Sequence, residues 1–359
     1  MKILVIGPMP NPINGCSYAN FILCRNLNLR GYDYDVMNTS TKSISSKQGS
    51  SFSLKKGFSF LALYGFIHKI FSATHIYFTP GQTFYGIVKY SPFFLICILL
   101  GKPYVIHVHG NHLGTEFKEL RGIKRNIFKY LISNASIGIV LSESLRSNFD
   151  GLLISSKVFV VENFVENGIY SSMDNVVKLN DKPRIVYLSN LMKEKGILEL
   201  LDALIILKNK NIDFEAFIAG AIELDIEKEV HEKLLVLNNN VKYLGSVSGS
   251  NKYKILKQSN IFILPTYYKM EGQPISILEA LATGNIVVTT AHGGIPDVIS
   301  IKNGFFVVPK SALSIADCVE KIAKDLAVNV EEFSTTNMAY AKKCFTEKIF
   351  TDKILTFFH

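Results

Sequence analysis

Tyr267-Tyr268-Lys269-Met270-Glu271-Gly272-Gln273-Pro274-Ile275-Ser276-Ile277-Leu278-Glu279-Ala280-Leu281-Ala282-Thr283-Gly284 follows a short apolar run, residues 261–265, that reads as a buried strand. A helix opens near Pro274, because proline suits a first turn: its φ is already helical and its missing N–H would have had no partner there. The spacing therefore predicts strand, loop and helix within some twenty residues. Backbone N–H groups of Gly272, Gln273, Ile275 and Ser276 would then point outward at a helix start, an arrangement suited to a diphosphate. Glu271 lies just before that helix and Glu279 on it, and carboxylates so placed can accept hydrogen bonds from sugar hydroxyls. Taken alone, Glu271 is better explained as a carboxylate stabilising the helix dipole.

The same alternation extends in both directions. Strand candidates in the first half are residues 2–7, 32–38, 75–79, 104–109, 137–141 and 158–163, with helix candidates near 17–30, 56–72, 83–100, 117–133 and 143–149. The pattern restarts with 184–188, 214–219, 241–244, 261–265, 286–290 and 305–308. Such alternation predicts parallel sheets covered by helices on both faces, an α/β protein of two Rossmann-like domains. A polar segment, residues 165–183, marks the hinge between a domain over 1–165 and another over 166–344. Residues 38–53 are rich in Ser and Thr and read either as a mobile loop at the carboxyl edge of the first sheet or as ordinary solvent loop. The tail from about residue 328 has two helical patterns, the second with Phe345, Phe350, Ile354, Leu355 and Phe358 on one apolar face.

Composition fits this division. At 359 residues, 48% hydrophobic and 19% charged, the chain can fill two cores and is no disordered polymer. Five scattered cysteines without a C-x-x-C pair predict free thiols and neither a disulfide framework nor a zinc site. The first residues run directly into a buried strand, so no signal peptide is expected. The most apolar run, residues 93–100, falls far short of the ~20 residues that span a bilayer. The chain is therefore expected in the cytoplasm, or peripherally on the inner face of the plasma membrane. The net charge of +9 lies entirely in the first half: residues 1–166 hold 17 basic and 8 acidic residues, the remainder 22 of each. That asymmetry points to an anionic partner: a phospholipid surface, a lipid diphosphate or a nucleic acid.

The string Glu-Gly-x-Pro-x-x-x-x-Glu-Ala-x-Ala-x-Gly from Glu271 to Gly284 resembles the Glu-x7-Glu signature of retaining glycosyltransferases of family 4. The resemblance implies a GT-B architecture, two Rossmann-like domains facing each other across a cleft. It also implies roles: Glu271 on the donor sugar, Glu279 on the nucleotide ribose, and Gly272, Gln273, Pro274 and Ile275 along the sugar and phosphates. Further segments extend the likeness. Gly7-Pro8-Met9-Pro10-Asn11-Pro12-Ile13-Asn14-Gly15-Cys16-Ser17 is similar to the family's first phosphate loop, with Gly15 at the key position and Asn14 where a glycine is usual. Ser189-Asn190-Leu191-Met192-Lys193-Glu194-Lys195-Gly196 resembles its Gly-Arg-Leu-x-x-x-Lys-Gly loop, so Lys195 would bind the diphosphate while Asn190 replaces the usual Arg. In Ile106-His107-Val108-His109-Gly110 the resemblance selects His109 as the histidine that approaches the donor sugar. On the residues alone, His107 and His109 share one strand face and read as a metal pair or as core histidines. Glu162-Asn163 and His292-Gly293-Gly294-Ile295-Pro296-Asp297 resemble two further family loops. By analogy the terminal helix, about residues 345–359, packs back on the first domain.

Asp33-Tyr34-Asp35 spells the metal-binding Asp-x-Asp of another glycosyltransferase fold, but its place on a strand argues for a structural role. Gly7 and Gly15 do not form G-x-G-x-x-G, which weakens a dinucleotide reading. The expected activity is transfer of a hexose or N-acetylhexosamine from a nucleotide-diphosphate sugar, UDP-linked, to a glycan or polyprenyl-diphosphate-linked acceptor, with retention and without metal or cofactor. Catalytic roles fall on His109 and Glu271. Two basic stretches, residues 54–61 and 121–130, would serve an anionic membrane as part of lipopolysaccharide or capsule assembly. The alternatives are a nucleotide-sugar epimerase of the same fold and a basic nucleic-acid-binding protein; no nucleic-acid-binding motif supports the latter.

Overall fold

A computed structural model describes residues 1–10, 14–40, 64–172 and 178–358. Residues 11–13 of the first loop, most of the Ser/Thr-rich segment, the basic stretch 54–61 and residues 173–177 of the polar segment lie outside the described residues. Twelve strands among the described residues form two six-stranded parallel sheets. The chain divides into two compact units, residues 1–163 with 347–359, and residues 164–346.

In the first unit the strands are β1 (Lys2–Gly7), β2 (Asp33–Asn38), β3 (His75–Phe78), β4 (Tyr104–His107), β5 (Ile137–Val140) and β6 (Val158–Val160), in the order β2-β1-β3-β4-β5-β6. The four inner strands are buried almost throughout, as a sheet covered on both faces demands, while the edge strands β2 and β6 are partly exposed. The core gathers Leu4, Ile6, Phe78, Phe93, Phe94, Tyr104 and Phe128 among others, with Phe78 and Phe94 ring centroids 4.5 Å apart. Asp33 and Asp35 of β2 face Lys2 at 3.9 and 3.0 Å, and Lys69 adds a second partner to Asp35 at 3.5 Å. The Asp-x-Asp is thus an ion-pair edge of the sheet.

Two expected helices are broken. Residues 83–100 form helices Phe84–Val88 and Ser91–Leu99, and residues 117–133 fall within Leu113–Glu119 and Gly122–Ser133. The second break follows from extended backbone at Leu120 and Arg121, with ψ of 145° and 160°. Hydrophobic periodicity carries through such a break, so the pattern alone did not reveal it.

The second unit has β7 (Arg184–Leu188), β8 (Glu215–Ala219), β9 (Val241–Tyr243), β10 (Ile261–Leu264), β11 (Ile286–Thr289) and β12 (Gly304–Phe306), ordered β12-β11-β10-β7-β8-β9. Read from β7, that is the 3-2-1-4-5-6 order of dinucleotide-binding sheets, whereas the first unit has the 2-1-3 start of the other common doubly wound order. Each sheet has one switch point, between β1 and β3 and between β7 and β10, where successive connections leave in opposite directions.

The chain returns to the first unit at Glu347, and Phe345 stays in the second, where its ring packs 5.2 Å from Tyr340. Phe345 therefore does not share the role of Phe350, Ile354 and Phe358, which are buried in the first unit. Helix Glu347–Leu355 is tied there by Arg25 to the buried Glu347, Arg30 to Asp352 at 2.5 Å, and Lys353 to Glu162 at 2.5 Å. No helix among the described residues is long and apolar enough to cross a membrane.

Candidate functional site

In the second unit the switch point lies where β7 and β10 run side by side, and ligands of such sheets bind outside the carboxyl ends at that point. Three loops converge there. The loop after β7 meets the loop after β10 through Tyr267 N–H donating to the Glu194 carbonyl at 2.8 Å and Thr266 Oγ1 to the same oxygen at 3.3 Å. The approach is close enough that a Cβ on Gly196, whose φ is +76°, would sit 2.4 Å from the Pro265 carbonyl oxygen. The loop after β11 braces the loop after β10: Gly294 N–H donates to Gly272 O at 2.8 Å, and His292 Nε2 lies 2.7 Å from Tyr268 O.

This scaffold brings Lys195 and Glu271 together. Lys195 Nζ is 2.6 Å from Glu271 Oε2, and Thr266 Oγ1 donates to the same oxygen at 2.9 Å. Both charged side chains are largely buried, and the Lys195 ammonium also lies 5.1 Å from the Tyr268 ring centroid. Gly272, Gln273 and Pro274 lead from Glu271 into helix Ile275–Ala282. Pro274 is the residue before that helix, with ψ of 122°, and not its first turn as its residue type suggested. Amides of Ile275 and the next residue still occupy the first helical turn, where no intrahelical acceptor exists.

Glu279 lies on the same helix with 2% exposure. Lys252 Nζ is 2.6 Å from its Oε1 and also pairs with Glu166. Burial pushes the Glu279 carboxyl up, an effect that Lys252 offsets only in part. For Lys252 burial works against the charge, but Glu279 and Glu166 together hold the ammonium above its usual range. Sequence reasoning missed Thr266, Lys252 and Glu166. None belongs to a recognisable string, and only the tertiary fold places them against Glu271 and Glu279.

Gly15 and His109 belong to the first unit. Gly15 heads helix Gly15–Leu29, and Asn14 before it closes a capping box with Ser17, which accounts for the asparagine there. A Cβ on Gly15 would meet nothing within 4 Å, so internal packing does not demand glycine at that position. Gly7 is the constrained one: a Cβ would lie 1.9 Å from Thr79 Oγ1 and 2.5 Å from Asn20 Nδ2. Asn20 bridges β1 and β3 at their switch point by donating to Pro8 O at 2.9 Å and Thr79 Oγ1 at 2.7 Å.

His109 follows β4, its ring 4.1 Å from that of His107, which in turn meets the Tyr77 hydroxyl through Nδ1 at 2.5 Å. Neither His109 ring nitrogen has a hydrogen-bond partner among the described residues. Burial lowers its pKa to about 3, so the ring is neutral near pH 7. Among the described residues no three or more His, Cys, Asp or Glu side chains group in a way that would hold a metal ion.

Residues 171–335 match the family model described as glycosyl transferases group 1. The second unit carries a glycosyltransferase group 1 domain. The match covers Lys195, Glu271 and Glu279 together with the loops that hold them. The chain is similar to CapM of Staphylococcus aureus, a capsular polysaccharide biosynthesis glycosyltransferase, at 26% identity over 52% of either chain. It is also similar to the N,N'-diacetylbacillosaminyl-diphospho-undecaprenol alpha-1,3-N-acetylgalactosaminyltransferase of Campylobacter jejuni, at 27% identity over 42% of this chain and 38% of that one. The chain thus matches about half the length, or less, of these relatives. Among solved structures, Anabaena HepE in complex with UDP superposes with a TM-score of 0.73 at 17% identity, covering 100% of this chain and 99% of its own. The fold is that of the GT-B glycosyltransferases.

Proposed function

We propose that the chain is a retaining glycosyltransferase of family 4 that moves a hexose or N-acetylhexosamine from a UDP-linked sugar to a glycan or polyprenyl-diphosphate-linked acceptor. The bond from the anomeric carbon to the diphosphate oxygen breaks, the acceptor oxygen takes its place on the same face, and the acceptor proton passes to the departing diphosphate, which leaves as UDP. The observation carrying this reading is the cluster of Lys195, Glu271 and the Gly272–Ile275 backbone at the β7/β10 switch point. There Lys195 and the helix-start amides would neutralise the departing diphosphate, Glu271 would hold the sugar, and Glu279 the ribose. No metal has a part in this scheme. The neutral His109 keeps the role of donor-sugar contact that the family resemblance implies. The UDP complex of HepE and the names of the two relatives support a UDP donor and a surface-polysaccharide setting.

A thermal-shift series with UDP-, GDP- and ADP-sugars tests the donor assignment. At a hundred times Kd a cognate nucleotide sugar should raise the midpoint by roughly 5 °C. Glu279→Ala should lose most of that rise. A wild-type protein that no nucleotide sugar stabilises would end this reading.

The acceptor side would meet an anionic membrane through helix Gly122–Ser133. Its Ile123, Ile127 and Tyr130 recur at helical spacing and are exposed, beside the basic Arg121, Lys124 and Lys129. Each basic residue near such a surface adds roughly 1 kcal/mol, screened by salt. The protein should sediment with phosphatidylglycerol vesicles at low salt and be released at high salt. A protein left in the supernatant at low salt would remove the membrane from the proposal.

A further inference from the structure

Helix Gly249–Gln258 brings Lys252 to a place where two carboxylates meet one ammonium. Lys252 Nζ pairs with Glu166 Oε1 and lies 2.6 Å from Glu279 Oε1. The other Glu166 oxygen accepts from the Tyr253 hydroxyl at 2.6 Å. Gly168 clears space for that hydroxyl, since a Cβ there would lie 2.8 Å from it. Side-chain exposures of 13%, 15% and 3% for Lys252, Glu166 and Glu279 put the whole group largely out of water. Buried charge clusters of this kind contribute little net stability, because desolvation offsets the attraction, and apolar residues of the same volume would serve the core as well. Their consequence is orientation. One oxygen of Glu279 is tied to Lys252, and the Glu166 carboxylate that shares this ammonium acts on the same group.

We infer that Lys252, braced by Glu166 and Tyr253, is a positioning residue that aims the Glu279 carboxylate at the vicinal hydroxyls of the donor ribose, and so governs discrimination between ribo- and 2′-deoxyribonucleotides. This rests on the donor reading above and adds the residues that make it selective. Both burial and the neighbouring Glu166 drive Glu279 toward its protonated form, and Lys252 is the group that opposes them. Without the ammonium, two facing carboxylates would share a proton, and Glu279 would lose both its fixed orientation and part of its accepting capacity.

The test is equilibrium binding of UDP, GDP and ADP and of their 2′-deoxy forms to wild type, Lys252→Met, Lys252→Arg and Tyr253→Phe, each with its unliganded melting curve. A hydrogen bond to a charged group is expected to give the wild type at least a tenfold preference for the ribonucleotide. Lys252→Met should reduce that preference to within threefold, Lys252→Arg should restore most of it, and Tyr253→Phe should fall between. A folded Lys252→Met that keeps the full preference would overturn the inference alone. If Lys252→Met does not fold, an unchanged preference in Tyr253→Phe would do the same. A wild type that binds none of the nucleotides would overturn the donor reading and this inference together.

Discussion

Replacing Lys195 with methionine is expected to lower kcat/KM for sugar transfer by about 10²–10³-fold, the usual cost of removing one preorganised group that meets developing charge. Its ammonium stands 2.6 Å from Glu271 and within a cation–π distance of Tyr268, so its position is set before any ligand arrives. Stability should fall too, because Glu271 would remain buried with Thr266 as its hydrogen-bond donor. Removing one partner of a buried pair costs about 3–5 kcal/mol when both are fully desolvated, and the partial exposure of Lys195 places this pair toward the lower end. The double variant Lys195→Met with Glu271→Gln separates the two effects. It should recover most of the melting temperature, since no unpaired charge remains, yet stay as inactive as the single variant. A Lys195→Met enzyme within threefold of wild-type kcat/KM would show that the diphosphate charge is met elsewhere.

The loop holding Lys195 was legible in the sequence because its parts are contiguous: a strand, a Lys-Gly pair and a helix start all lie between residues 184 and 197. The Glu271–Glu279 spacing was legible for the same reason. β1 and β7 begin and end where alternation and composition set them, at Lys2–Gly7 and Arg184–Leu188. What the string did not carry was anything joined across distance. Lys252 reaches Glu279 over 27 residues and Glu166 over 86, with no local pattern on either side. Strand order is of the same kind: both halves alternate alike, but their sheets start in different orders. Gly7 and Gly15 show the limit most plainly. Likeness singled out Gly15 for the approach of a ligand, and its Cβ position is open, whereas the glycine that packing within the protein demands is Gly7, caught against the Thr79 and Asn20 side chains.

Gly293 unites local and distant constraints, and Gly293→Ala should be a severely damaging single-methyl change near the site. Its φ of +58° costs a non-glycine residue about 1 kcal/mol. The added Cβ would lie 2.4 Å from the Glu271 carbonyl oxygen and 3.1 Å from that of Gly272, and backbone atoms cannot rotate aside as a side chain can. Relief requires the Glu271–Gly272 segment to move, against the Gly294–Gly272 hydrogen bond and the His292 contact with Tyr268. A displacement near 1 Å there would carry the Glu271 carboxylate away from Lys195, and misplacements of that size cost about a hundredfold in rate. The expected outcome is a hundredfold lower kcat/KM together with a stability loss of roughly 2–3 kcal/mol. Gly101→Ala is the matched control, because Gly101 shares the positive φ, at +61°, but a Cβ there would meet nothing within 4 Å. It should lose only the ~1 kcal/mol conformational part and transfer sugar at the wild-type rate. Equal losses of stability and activity in the two variants would mean that φ strain alone, and not pressure on the Glu271 backbone, sets the cost.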